Sequence, residues 1–219
     1  MVSGSWARYA PLAGVLFVVL VVVSILVGGF DSVDTNDSTA KVVDFWKDND
    51  GRQAASALIG ALALVPFLWF LGVLRSALRA AEGGTGRLAA TAYAGGIVLA
   101  GFAAANSAIQ FATAESVGDV PPLVTQTLST LYNDFFAGFP VGLGVLMLAT
   151  ALVILRTRVL APWLGWAALV IGIASFAGPA AFIAFLLTLV WIVIVSVILY
   201  QQQPGPTAPA AAPASPGLT

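Results

Sequence analysis

The sequence predicts an all-α membrane protein: a polytopic helical bundle of six transmembrane helices, with the N and C termini both cytoplasmic. Three observations lead there. Six runs of about 17 to 24 mostly uncharged residues fill the chain, and each can cross a roughly 30 Å hydrocarbon layer as a helix. Of the 219 residues, 59% are hydrophobic and 9% are charged, against about 45–50% and about 25% in a soluble domain. Finally, with six crossings drawn, six of the seven arginines collect on one side.

The first span covers residues 11–29, with Trp6, Arg8 and Tyr9 ahead of it as interfacial anchors. Its apolar run exceeds the usual h-region of about 7–15 residues and no A-x-A-like site follows, so it reads as a retained span rather than a cleaved signal peptide. A polar loop from Phe30 to Arg52 carries Asp31, Asp34, Asp37, Asp44, Asp48 and Asp50. Within it, Val42, Val43, Phe45 and Trp46 would give a short helix a partial apolar face, lying either along the membrane surface or against the span ends.

The second span, 53–74, contains Pro66, and Gly83-Gly84-Thr85-Gly86 turns the chain into the third, 88–111. A connector with Glu115, Asp119, Pro121 and Pro122 precedes the fourth, 135–155, in which Pro140 is a second candidate kink. The fifth span, 162–177, is short, and Gly178-Pro179 leads to the sixth, 180–200. Residues 1–200 thus form one transmembrane domain. The tail 201–219 is rich in Pro and Ala, has no apolar periodicity, and reads as a disordered cytoplasmic segment.

Orientation rests on Arg75, Arg79, Arg87, Arg156 and Arg158, which join Arg8 on one face while nearly all carboxylates fall on the other. The positive-inside rule makes the arginine face cytoplasmic. The same charges offer no basic patch to track a phosphate backbone, so nucleic acid is not an expected partner.

Composition also removes much chemistry. Cysteine and histidine are absent, which excludes disulfides, thiolate zinc sites, iron–sulfur clusters, His-ligated haem and His-dependent triads. The two lysines, Lys41 and Lys47, lie in the polar loop, so no span supplies a Schiff-base amine. No metal site, cofactor or catalytic residue is expected.

What remains inside the membrane is packing and a few polar groups. In lipid, helices associate through small residues that let backbones approach. The third span offers Gly96, Ala100, Ala103, Ala104 and Ser107 as one such stripe, the fourth Gly142 and Gly144, and the fifth Gly165 and Gly172. Asn106 and Gln110, spaced i,i+4, share a face near that stripe. Either they make interhelical hydrogen bonds or they line an outward-facing polar cavity, with Glu115 and Asp134 flanking the same side. Asp134 would lie within a helix running from Pro121-Pro122 into the fourth span, or near the start of a new helix, where a carboxylate suits the positive end of the dipole. Trp163 and Trp166 read as interfacial belt residues, whereas Trp69 and Trp191 read as packed against neighbouring helices.

Several stretches together carry a family likeness: Asp44-Phe45-Trp46-Lys47-Asp48-Asn49, then Trp69 to Arg79 (WFLGVLRSALR), Tyr93-Ala94-Gly95-Gly96, and Pro162-Trp163-Leu164-Gly165-Trp166. Their order resembles a group of uncharacterised six-span integral membrane proteins of high-GC Gram-positive bacteria, a domain of unknown function. The resemblance implies a bacterial plasma membrane and the same six-span layout, and it brings no activity or catalytic residues with it.

The function expected from these features is non-enzymatic: binding a partner, sensing, or supporting an assembly, with the lipid bilayer and another membrane or extracytoplasmic protein as partners. The alternative is a small permease or channel-like protein for a neutral or amphiphilic molecule. An intramembrane enzyme acting on a lipid ranks last, because no Asp–Asp or Ser–Lys pair sits at membrane depth.

Overall fold

The computed structural model describes residues 6–134, 138–178 and 180–203. Residues 135–137 at the expected start of the fourth span, Pro179, and the tail from 204 onward lie outside them. The described elements are helical: α1 (Trp6–Tyr9), a 3-10 turn (Ala10–Leu12), α2 (Ala13–Gly28), α3 (Thr39–Glu82), α4 (Arg87–Ser116), α5 (Pro122–Asp134), α6 (Phe139–Thr157), α7 (Pro162–Ala174) and α8 (Ala180–Gln201).

Five helical stretches are long and apolar enough to cross a membrane: residues 10–28, α3, α4, the stretch ending in α6, and α8. The 13 residues of α7 reach only about 20 Å at 1.5 Å per residue, short of the hydrocarbon thickness. Large apolar side chains point outward in stripes. On α3, Leu58, Leu62, Val65 and Trp69 are all exposed at i, i+4, i+7 and i+11, one face of a helix. On α7 the stripe is Trp163, Trp166, Val170 and Ile173. Such surface is unsupportable in water and natural against lipid tails, so the architecture is that of a membrane-embedded helical bundle. Trp69 belongs to this outward face, correcting the expectation that it packs inside. Trp191 is buried, and its indole Nε1 donates to Leu164 O at 3.0 Å.

Helices α2, α3, α4, α6, α7 and α8 pack in that order and α8 returns to α2, closing a ring. The tightest crossing is α4 on α6. A Cβ added to Gly95 would stand 2.5 Å from Leu146 N, and one added to Gly142 would stand 2.5 Å from Leu99 N. Gly96 meets a different helix: a Cβ there would lie 2.6 Å from the Leu71 side chain of α3. Adjacent glycines point about 100° apart on a helix, so Gly95 and Gly96 admit two neighbours at once. Gly144 abuts Phe176 and Ser175, Gly172 abuts Leu148, and Ala100 is buried. Ala104 is exposed, a correction to the small-residue stripe. The buried face of α4 centres on Ala92, Gly96, Leu99 and Gln110, and Ala104 sits about 80° from Gly96, past its edge.

The arginine-bearing helix ends gather at one end of the ring. The Arg75 guanidinium lies 5.0 Å over the Tyr93 ring, and that of Arg8 lies 5.8 Å over Tyr200, both at cation–π distance. Between α3 and α4, Gly83, Gly84 and Gly86 take positive φ of 67°, 53° and 62°, a tight turn open to residues without a Cβ. The Glu82 carboxylate reaches across it to accept from Leu88 N at 2.9 Å and Ala89 N at 2.8 Å. It thereby satisfies two free donors at the α4 start. Arg79 packs its side chain against Gly86, Arg87 opens α4, Arg156 occupies the last turn of α6, and Arg158 caps it at φ 56°.

Two local expectations change. The polar loop is a loop only to Ser38, which caps α3 by accepting from Lys41 N. From Thr39 the chain is one 44-residue helix through the second span, about 66 Å long and more than twice the hydrocarbon thickness. Neither a surface-lying helix nor a separate short one forms, because Val42, Trp46, Gln53 and Ser56 are buried on one continuous face. Pro140 occupies the first turn of α6 as described, where its missing N–H removes no bond within that helix. Pro66 lies within α3, which continues through it.

Candidate functional site

The bundle is dense toward the arginine end and hollow toward the other. At the dense end Leu71, Leu74, Leu78, Leu146, Met147, Ile154, Leu164 and Ile192 are at most 2% exposed. At the opposite end α3 continues beyond the ring, and its first turns pack with the end of α4 and with α5 around Val33, Val42, Trp46 and Ala114. Trp46 meets Tyr132 edge-on at 6.0 Å, Asn133 Nδ2 donates to Val33 O at 3.0 Å, and Thr39 of α3 bonds to Gln126 of α5. This acid-rich cap roofs two adjoining cavities.

The upper cavity, about 240 Å³, lies under the cap and is lined by Ser24, Trp46, Gln53, Ser56, Gln110, Ser129 and Tyr132, with Asp31 at its rim. The lower one, about 300 Å³, sits among α2, α3, α4 and the first turns of α6 and α8. Its walls are aromatic: Phe17, Phe67, Phe102, Phe139, Phe182 and Phe185. Ser24, Ile25, Gln110 and Tyr132 line both, so these four residues form the partition. Phe182 is 58% exposed, which places one edge of the lower cavity on the apolar outer surface.

The polar groups at the partition are built by helix contacts. Gly60 lets α3 approach Ser24 on α2 and Ser107 on α4, at 3.3 and 3.4 Å from an added Cβ. Ser24 and Ser56 exchange hydrogen bonds to each other's carbonyls at 2.8 and 2.9 Å. The buried Gln110 donates through Nε2 to Gln53 Oε1 at 2.7 Å, and Gln53 Nε2 donates to Gly28 O at 3.1 Å. Arg52 is exposed and turned toward the α2 C-terminus, where Nε and Nη2 donate to Val27 O and Gly28 O at 3.3 and 3.4 Å. A cation there suits the helix dipole.

Asn106 differs from these. It lines the lower cavity one turn deeper than Gln110, and its Oδ1 is buried without meeting a donor among the described residues. Trp46 Nε1, in a residue lining the upper cavity, is likewise buried without an acceptor among them. In lipid an unpaired polar atom is costly, so an unpaired atom beside open space is the natural contact point for a guest.

Of the four residues expected to surround an outer polar cavity, the structure brings together Asn106 and Gln110. Glu115 and Asp134 are exposed and line neither cavity. Glu115 follows Gln110 by five residues, about 140° around α4, and Asp134 follows Tyr132 by two, about 160° around α5. Asp134 ends the described part of α5, and the link from there into α6 lies outside the described residues. Sequence reading missed Gln53, Tyr132, Trp46 and the phenylalanines. Gln53 carried a usable signal, an amide at the same expected depth as Gln110 on the neighbouring span. The aromatic wall carried none, since its rings come from five helices.

The fold and cavity together define a membrane-embedded helical bundle with a guest-sized space near its acidic end. No family model, curated protein or solved structure matches the chain, so the functional reading rests on its own residues.

Proposed function

We propose that this chain is a non-enzymatic integral membrane protein that binds a small amphiphile within the bundle, as a carrier or sensor. In this reading it crosses a bacterial plasma membrane six times, the short α7 and the turn after it making the fifth passage alongside α6, with both termini cytoplasmic and the acidic cap outside. The likeness to six-span proteins of high-GC Gram-positive bacteria supports the membrane, and the gathered arginines support the orientation. The observation that carries the binding role is the roughly 300 Å³ aromatic cavity with the unpaired Asn106 Oδ1 at its polar end. That volume falls at the lower limit of small-molecule pockets, about 300–1,000 Å³. The cavity favours the permease-like alternative over partner binding as the primary role.

The chain has no cysteine, so single cysteines report directly. Ser107→Cys should react with a small thiol reagent added to intact cells, and excess long-chain alcohol should protect it. Ala149→Cys, in the dense core, should stay inert. Equal inertness at both positions would remove the cavity reading.

A second role is favoured by a separate observation. Helix α5 buries Thr125 and Ser129 while leaving Leu123, Val124 and Leu131 69%, 41% and 45% exposed, the reverse of a water-facing helix. Protein binding by the cap would cover that face. Crosslinking from Thr127, on the same side of α5, would capture one defined protein if it does, and only random neighbours if it does not.

A further inference from the structure

We infer that the guest is a single-chain amphiphile with a neutral, hydrogen-bonding head, such as a hydroxyl or amide, rather than a phosphate or carboxylate. This rests on the binding reading above and names the class of molecule that the cavity accepts. The head would sit at the partition beside Asn106 and Gln110, with its chain among the phenylalanines toward Phe182.

Charge supplies the first argument. Among the described residues, Asp31 is the one charged side chain lining either cavity. An anionic head entering this space would lose its hydration without meeting a cation, a loss of several kcal/mol or more for an unpaired ion. The nearby cation, Arg52, is turned to the α2 carbonyls and to Asn49 Oδ1 at 3.1 Å, and lines neither cavity. Asp31 would add repulsion.

Hydrogen-bond chemistry supplies the second. A side-chain amide both donates and accepts, and its O and N ends exchange by a flip. A hydroxyl or amide on the guest satisfies Asn106 in either orientation, whereas a hydrocarbon satisfies neither and an ionised phosphate only the one that turns Nδ2 inward. Shape supplies the third. About 300 Å³ of largely aromatic wall accommodates one chain at the lower limit of pocket sizes, and the exposed edge at Phe182 gives that chain a way in from the lipid.

The test compares two photoreactive probes with the same diazirine-bearing chain, a monoacylglycerol and a lysophosphatidate, on the full-length protein in neutral phospholipid vesicles. The monoacylglycerol should label α4 and α8 saturably, at least about tenfold better than the lysophosphatidate, the equivalent of roughly 1.4 kcal/mol. Asn106→Leu, with the same branched shape and without the amide, should weaken monoacylglycerol labelling about five- to tenfold while leaving the unfolding temperature unchanged or raised. Equal or better labelling by the lysophosphatidate would overturn the neutral-head assignment and leave the cavity reading intact. Absence of saturable labelling by either probe would remove both. Labelling indifferent to Asn106→Leu would overturn the placement of the head. The comparison of the two heads on the wild-type chain decides the class even if the variant does not fold.

Discussion

The α4–α6 crossing makes the sharpest structural prediction. Substituting Gly142 by Ala places a methyl 2.5 Å from Leu99 N, 2.8 Å from Leu99 Cα and 3.0 Å from Gly95 O. All three are backbone atoms of a helix packed on both sides, so no side chain can rotate away. Carbon contacts settle at about 3.5–4.0 Å, so the axes must part by roughly 1 Å, and a gap of that size forfeits a quarter to a half of the dispersion well along the interface. Overpacking of this kind costs about 1–3 kcal/mol, which lowers the unfolding temperature of a chain this long by roughly 3–10 °C. Gly101→Ala is the control on α4, because nothing lies within 4 Å of its added Cβ. It should be neutral, or stabilise by up to about 1 kcal/mol through backbone entropy. The measurement is thermal unfolding of purified protein in one detergent, followed by tryptophan emission and by loss of the monodisperse peak. Gly142→Ala as stable as the Gly101→Ala control would refute the reasoning, because the two helices would then not approach as closely as Gly95 and Gly142 permit.

Three further outcomes follow from the same contacts. Gln110→Leu should destabilise by about 1–3 kcal/mol because Gln53 Oε1 loses its buried donor, and Gln53→Leu with Gln110→Leu should cost less than the two single losses added, as read by a double-mutant cycle in thermal unfolding. Trp191→Phe keeps an aromatic ring but removes the indole donor to Leu164 O at the α7–α8 contact, so proteolysis within 158–180 should quicken, and an unchanged cleavage rate would argue against that bond as the tie. The carboxyl of Asp37 is held below its usual 3.8 first by the hydrogen bond from Lys41 and then by that from the Asp34 N–H. A depressed folded value means that this local stability is present above the ordinary carboxylate range and is lost as pH falls through the lowered value. Amide exchange at Asp37 and Lys41 should therefore be flat from pH 5 to 8, after correction for intrinsic rates, and lose protection only below about pH 4.

The membrane crossings were readable because lipid imposes a length and an apolarity that sequence cannot disguise. The third and sixth spans, read as 88–111 and 180–200, lie within α4 and nearly coincide with α8. Where the loop before the second span differs, the reason is that local polarity does not imply local irregularity. The run from Asp44 to Asp50 is polar on the outside of a helix whose inside carries Val42 and Trp46. Its continuation through Gly51 and Arg52 is fixed by contacts with α4 and α5 that no window of sequence contains. The site divides in the same way. Asn106 and Gln110 could be placed together because i,i+4 spacing is a property of one helix, whereas Glu115 and Asp134 were grouped with them by loop proximity, and rotation about the helix axis separates them. A single small-residue stripe predicts Gly96 and omits Gly95, because two helices need one glycine each.

Asn106 is the residue on which the functional argument turns, and other buried polar atoms show why. Thr150 Oγ1 and Ser196 Oγ are also buried without a hydrogen-bond partner among the described residues, yet both belong to fully buried residues, with no room for a guest. A hydroxyl in a helix has a remedy within its own turn, the i−4 carbonyl, which Thr113 and Thr188 take at 2.8 Å. The Asn106 Oδ1 has none, since it is an acceptor and the N–H groups of its own helix are committed to the backbone ladder. Its need therefore has to be met from outside the α4 backbone, by a side chain or by something in the cavity. The adjoining amide, Gln110, turns its Nε2 to Gln53 Oε1, and Gln53 turns its own to Gly28 O. An unpaired acceptor, a space beside it and a partner already taken point to the cavity as the place where Asn106 finds its donor.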